Sequence, residues 1–405
     1  MDALDILTDL DNVVPFFQPI FSADEHKVIG YEILGRYFHK NSYDSLGSLF
    51  LDKSIPEEYR LEIDQAVLKK ALEKALSIEE DILLFVNRDA DLLLFDEDEQ
   101  LLSLLMEYHE KGIDMHRIVI EITDQTHQTS VDQLDHLLSY YRTFGIKFAI
   151  DKLGKESSNL ERIGQLSPDI LKIDLLALRS TNVSPAYQDI LYSLSLLARK
   201  IGATLLFENI EMVYQLQFAW KNGGRYYQGY YLKEPVRAFV NRDVLKEKLR
   251  EKCHQFILHE KKKLEILKKM SDMFQGKIQE LVNKYRKIQD YDIFLLNLTK
   301  ELDGIAFRMY VCDEDGFQKS SNALYADGQW ILQPQYHEKN WSWRPYFLEN
   351  ISRMQSDKKG ILSDLYSDIE NGETIRTFSY PLNADLFLFI DLSYLYLYEH
   401  DGLLF

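Results

Sequence analysis

The sequence predicts an α/β protein: a TIM-like (β/α) barrel with an irregular, antiparallel first strand, then a long connector helix and a C-terminal α+β domain. Three observations carry this prediction. Residues 1–241 alternate short β-rich runs with helix-length segments. Residues 242–290 form a basic stretch without proline and with heptad spacing. Residues 291–405 are rich in aromatic residues, turns and short strand runs.

In the first segment the strand runs are 16–20, 28–34, 82–87, 118–122, 147–150, 170–173, 204–207 and 226–231. Only the polar turn Ser22-Ala23-Asp24-Glu25-His26 separates the first two, which predicts a hairpin. The later runs are separated by helical lengths, the pattern of parallel βα units closing into a barrel.

In the second segment Leu264, Leu267, Ser271, Phe274, Ile278, Leu281, Tyr285 and Ile288 repeat at 3-4 spacing, after a basic run at Lys261-Lys262-Lys263. Such a seam buries itself either on its own barrel or, the preferred reading, on a partner subunit. The last segment offers strands at 305–311, 329–333, 377–381 and 386–392 with a turn at Asp313-Glu314-Asp315-Gly316. Its cluster Trp341-Ser342-Trp343-Arg344-Pro345-Tyr346 reads as aromatic core before it reads as a ligand pocket.

A length of 405 residues suits a large barrel plus a smaller module. The net charge of −18 argues against a DNA, RNA or anionic-membrane binder. Fourteen basic and eight acidic residues fall within 241–290, so that stretch is net +6 and the remainder −24. An anion bound by so acidic a barrel needs cations or aimed basic residues. Cys253 and Cys312 are the only cysteines, too few for a disulfide framework or a cysteine metal site. No run approaches the roughly 20 apolar residues of a membrane span. The acidic opening lacks the basic start of a signal peptide, so a cytoplasmic location is expected.

The strand ends carry the functional signal. Successive apolar strands run into Glu32, Asn87, Glu121, Asp151, Lys172 with Asp174 just beyond, Glu208 and Gln228. A single acid after a strand is ordinarily a helix cap or a surface residue. Seven in series, in a barrel whose strand C-termini share one rim, converge on one site. Crowded carboxylates repel unless a cation or a proton offsets them, and hard oxygen ligands suit Mg²⁺, Mn²⁺ or Ca²⁺.

These residues resemble a known family. Gln18-Pro19-Ile20 and Tyr31-Glu32-Ile33-Leu34-Gly35-Arg36 look like the opening of EAL domains, the bacterial cyclic di-GMP phosphodiesterases. Val86-Asn87, Glu121-Ile122-Thr123-Asp124, Asp151, Leu171-Lys172-Ile173-Asp174, Glu208-Asn209-Ile210-Glu211, Gln228-Gly229-Tyr230 and Pro235 follow in the family's order. The arrangement is similar to the subtype in which a long helix and a PAS-like, sensor-type domain follow the barrel.

The resemblance implies that Glu32, Asn87, Glu121 and Asp151 are ligands of a first metal. It implies that Glu208 completes the metal site or acts as base, and that Lys172 holds the attacking water or the phosphate. Gln18, Leu34, Arg36, Asp174, Gln228 and Pro235 would line the dinucleotide groove, and Asp124 and Glu211 would support the loop after Asp151. The family's habit of pairing adds an expected homodimer. The ligand of the C-terminal domain is not implied.

One departure decides the expected activity. Where the family places a second aspartate after Asp151, this chain has Lys152, and the loop continues Leu153-Gly154-Lys155-Glu156. An ammonium repels a second metal yet can still neutralise a phosphate oxygen. The expectation is therefore cyclic di-GMP binding with a divalent cation (Mg²⁺ or Mn²⁺, or a non-productive Ca²⁺) and weak or absent hydrolysis. The alternative is an active phosphodiesterase giving the linear dinucleotide under control of the C-terminal domain.

Overall fold

The computed structural model describes residues 3–96, 99–123, 131–153, 160–179, 185–344, 347–370 and 372–400, and backbone alone at 123, 152, 160, 185 and 186. The chain divides into two compact units, Met1–Gln255 and Phe256–Phe405.

The first unit is a closed barrel. Its strands are β1 (Val13–Ser22), β2 (Val28–His39), β3 (Ser42–Ser45), β4 (Leu83–Asp89), β5 (Ile118–Thr123), β6 (Lys147–Leu153), β7 (Ile170–Asp174), β8 (Thr204–Glu208) and β9 (Tyr226–Tyr227). Neighbours run β1-β9-β8-β7-β6-β5-β4-β2, and β1 pairing with β2 closes the ring while β3 extends β2 outside it. β1 is antiparallel to both of its neighbours, as the hairpin spacing predicts, and the pairs from β2–β4 round to β8–β9 are parallel. The hairpin strands are longer than the apolar runs imply, and β9 is shorter. β9 stops two residues before Gly229, whose φ is +150 and where a Cβ would fall 2.2 Å from the Ile210 carbonyl oxygen, so only glycine fits there.

Strand alternation turns this barrel into a floor and a rim. Ile20, Phe85, Val119, Ala149, Ile170 and Leu206 form an apolar layer inside, with Tyr226 packed against it. Asn87, Glu121, Asp151, Lys172 and Glu208 each lie two residues beyond a member of that layer, and Gln228 lies two beyond Tyr226. Side chains two apart on a strand share a face, so these polar residues are the next inward layer. On the reversed strand β1 the counterpart is Gln18, two residues before Ile20, and it pairs with Glu32 across the hairpin. The outward faces lie under amphipathic helices, among them Glu57–Ala75, Gln100–Glu110, Val131–Arg142 and Pro185–Ile201.

The long helix spans Lys246–Tyr285, and the boundary between the compact units falls within it. In the second unit a six-stranded antiparallel sheet has Ala306–Asp313 and Leu386–Leu392 as its central strands. From Phe274 onward the heptad seam is covered within the C-terminal unit itself. Phe274, Ile278 and Leu281 are buried with Phe294, Leu298, Met309, Val311, Phe378 and Ile390 of the C-terminal unit's own core, while Leu264 stays 66% exposed. The reason is proximity in sequence: the helix Tyr291–Glu301 and the sheet follow at once and offer the nearest apolar surface. On the other sheet face Tyr310, Cys312, Phe387 and Phe389 meet Phe347, Ile351 and Met354 of the helix Phe347–Asp357. Trp341 packs against that cluster, in keeping with the core reading, and Trp343 is exposed.

Candidate functional site

Lys172 is the centre of the rim. It is fully buried, and its Nζ lies 2.8 Å from Glu121 Oε2, 3.2 Å from Glu32 Oε2, and 3.5 Å from both Asp151 Oδ1 and Glu208 Oε2. Four strands besides its own therefore aim a carboxylate at one ammonium. Glu32 is fixed further by hydrogen bonds from Asn87 Nδ2 at 2.8 Å and Gln228 Nε2 at 2.6 Å.

The electrostatics follow from four acids against one base in a buried place. Burial pushes the Glu32 carboxyl up, but Lys172 and the two amide donors outweigh it and hold Glu32 below the usual range. Glu121 also meets Lys172, at 2.8 Å, but no amide donor among the described residues joins it. Burial first, then the Glu32 charge, drive its carboxyl well above the ordinary value. Burial and then Asp151 push Glu208 up to about 8. Lys172 is raised in turn, because the surrounding carboxylates overcome the desolvation that would lower it. Glu121 Oε1, Glu208 Oε1 and Gln228 Oε1 are buried without a hydrogen-bond partner. Such atoms are costly unless something else meets them.

A cavity of about 330 Å³ opens beside this cluster. Gln18, Leu34, Arg36, Asp174 and Gln228 line it together with Glu32, Asn87, Asp151 and Glu208. Arg36 stands over the Phe16 ring at 5.7 Å and donates to the Gly35 carbonyl at 2.9 Å. Asp174 accepts from the Leu176 amide at 2.7 Å and from Asn209 Nδ2 at 3.0 Å. Pro235 is half-buried, next to Val236, which bridges to Phe17, and is not among the lining residues.

Glu211 pairs with Arg179 at 2.5 Å. Asp124 and the loop 154–159 lie outside the described residues. Lys152 is described by its backbone alone, in a strand whose ladder with β7 breaks between Ile150 and Leu153.

Sequence reasoning gave Asn209 no role beyond its place in a matching run and missed the ion pair of Arg88 with Asp64; all three also line the cavity. Asn209 and Arg88 directly follow rim residues, and that adjacency was the available signal. Asp64 comes from the helix Glu57–Ala75, and nothing local marks it.

The donor set suits a hard divalent cation. Glu32, Asn87, Glu121 and Asp151 supply oxygen, and the orphaned Glu121 Oε1 and Glu208 Oε1 are oxygens a cation would satisfy. Among the described residues no group of three acidic, histidine or cysteine side chains has metal-holding geometry, the Lys172 ammonium being the cation they meet.

Barrel, rim and cavity define a protein of the EAL class, and the family comparison agrees: the EAL domain model matches residues 2–235. This chain belongs to the EAL-domain family. Residues 239–404 match a second model, the EAL-domain associated signalling protein domain. The full chain is 55% identical to YkuI of Bacillus subtilis strain 168, an EAL-domain protein, with both chains wholly covered. The crystal structure of that YkuI protein, in complex with its substrate cyclic di-GMP and calcium, superposes with a TM-score of 0.95 over 100% of both chains. PdeG of Escherichia coli K12, a probable cyclic di-GMP phosphodiesterase, is 23% identical over 55% of this chain and 45% of its own length. No helix among the described residues is long and apolar enough to cross a membrane.

Proposed function

We propose that this chain binds cyclic di-GMP at the barrel rim together with a divalent cation, hydrolyses it weakly or not at all, and serves in second-messenger signalling. The observation that carries the proposal is the open charge cluster around Lys172 beside a cavity lined by Gln18, Leu34, Arg36, Asp174 and Gln228. The complex formed by the 55% identical YkuI supports it.

In this reading Glu32, Asn87, Glu121 and Asp151 hold the cation. When bound, such a cation supplies positive charge against a phosphodiester and acidifies water. Lys172 holds the attacking water or the phosphate, and Glu208 completes the metal site or acts as base. Pro235 borders the groove, and Asp124 and Glu211 support the loop after Asp151. Lys152 accounts for the weak chemistry, because its charge opposes a second cation where the family has a carboxylate.

The reading keeps three functional parts: the barrel at 1–241, the connector at 242–290, and a PAS-like sensor module at 291–405. It places the protein in the cytoplasm as a homodimer. A second reading, an active phosphodiesterase giving the linear dinucleotide, is favoured by the orphaned oxygens of Glu121 and Glu208, both poised for cation binding.

Calorimetric titration of cyclic di-GMP in Mg²⁺, Ca²⁺ or EDTA, run beside chromatography of the products, separates the two. Micromolar binding with little linear product is expected. Failure to bind at that concentration refutes the proposal, and rapid conversion to the linear dinucleotide establishes the second reading.

A further inference from the structure

We infer that Asn209 is a positioning residue for the dinucleotide site, holding the Asp174 carboxylate through its side-chain amide while its left-handed backbone joins three strand ends. The inference rests on the reading above, in which Asp174 faces cyclic di-GMP.

Asp174 and Glu208 are register partners at the ends of β7 and β8, and Asn209 is the next residue. Its φ of 57 is the left-handed conformation, which turns the chain away from the strand. From there its Nδ2 reaches across to Asp174 Oδ1 at 3.0 Å, the oxygen that also accepts the Leu176 amide at 2.7 Å. The same turn sends the Ile210 amide to the Gln228 carbonyl at 3.1 Å and the Ile210 carbonyl to the Tyr231 amide at 2.9 Å. The Leu175 amide meets the Glu208 carbonyl at 3.1 Å. Asp174, Glu208, Asn209 and Gln228 all line the one cavity.

The residue type is constrained twice. Glycine adopts this backbone without strain but carries no amide. Aspartate tolerates it but sets an acceptor against the Asp174 carboxylate. Alanine fails on both counts. Asparagine alone among these meets both requirements, a left-handed backbone and a donor aimed at a carboxylate.

The test uses the full-length chain and calorimetric titration with cyclic di-GMP in calcium. Asn209→Gly keeps the turn and removes the donor, and a loss of roughly 10-fold in affinity is expected for one charge-assisted hydrogen bond. Asn209→Asp is expected to lose more. Calcium affinity measured alone, and the melting temperature of Asn209→Gly, should stay at the wild-type values. In an Asp174→Asn background, Asn209→Gly should cost no further affinity. The inference falls if both variants bind like wild type, or if the affinity loss is matched by lost calcium affinity and lost thermal stability. Wild-type chain that fails to bind cyclic di-GMP refutes the proposed function itself, whereas normal wild-type binding with unaffected variants refutes this inference alone.

Discussion

Each compact unit buries a cation among carboxylates, yet only one of the two clusters is open. At the rim Lys172 meets four acids, and Glu121 and Glu208 keep buried oxygens with no hydrogen bond. In the C-terminal unit Arg308 meets Asp391 through Nε at 2.6 Å and Asp368 through both terminal nitrogens, at 3.2 and 2.8 Å, with Glu370 at 3.1 Å. Asp391 spends its other oxygen on the Thr377 hydroxyl at 2.5 Å, and Thr377 in turn meets Tyr366 at 2.6 Å. No side-chain atom of Arg308, Asp368 or Asp391 appears among the orphaned buried atoms of the described residues. Forked guanidinium geometry permits that closure, while a point-charge ammonium leaves acids over. Satisfied burial makes a strut, and unsatisfied burial beside a cavity makes a site.

The largest expected effect breaks the strut. Arg308→Met leaves Asp368 and Asp391 buried without their cation and should cost about 3–5 kcal/mol. Denaturant unfolding followed by tryptophan emission reads this, since three of the four tryptophans lie beyond residue 291. Added Mg²⁺ or Ca²⁺ should restore nothing, and cyclic di-GMP binding should persist.

Lys172→Met makes the parallel cut at the rim, and in EDTA it should destabilise the barrel on a comparable scale of several kcal/mol. Here a divalent cation should restore much of the loss, because it meets the same oxygens. Equal rescue in both variants, or in neither, would erase the distinction between strut and site.

Lys152→Asp sharpens what the rim is for. It replaces an opposing charge with a ligand, and linear product should rise at least about tenfold, as expected when a missing electrostatic element of the site is restored. An unchanged rate despite intact cyclic di-GMP binding would place the defect in the rest of the loop.

The last comparison is the pH dependence. The Glu208 carboxyl is raised from 4.5 to about 8, so the folded barrel holds a proton that the unfolded chain has released. That contribution to stability is complete below about pH 4.5 and disappears as pH rises through about 8. In EDTA the rim's share of stability should fall across this window. The melting-temperature gain from Ca²⁺ should grow over the same range, as the cation replaces the departing proton. Scanning calorimetry at pH 6 and 8.5, with and without Ca²⁺, measures both, and a gain that shrinks with pH contradicts the assignment.

By itself the sequence determined the barrel, the antiparallel first strand and the rim. Strand periodicity is local, and one apolar run after another ends in a polar residue at the same inward phase. It also marked Lys152, whose charge is legible without coordinates. Tertiary structure decided the rest. The heptad seam read as an interface, because periodicity shows that a face is buried but not what covers it; the C-terminal unit's own sheet covers Phe274, Ile278 and Leu281. The Arg308 cluster gathers residues up to 83 positions apart in sequence, and Asp64 joins the cavity from a helix that no motif flags. Whether a buried charge is closed or open depends on distances between atoms from different strands, and only the folded chain sets those distances.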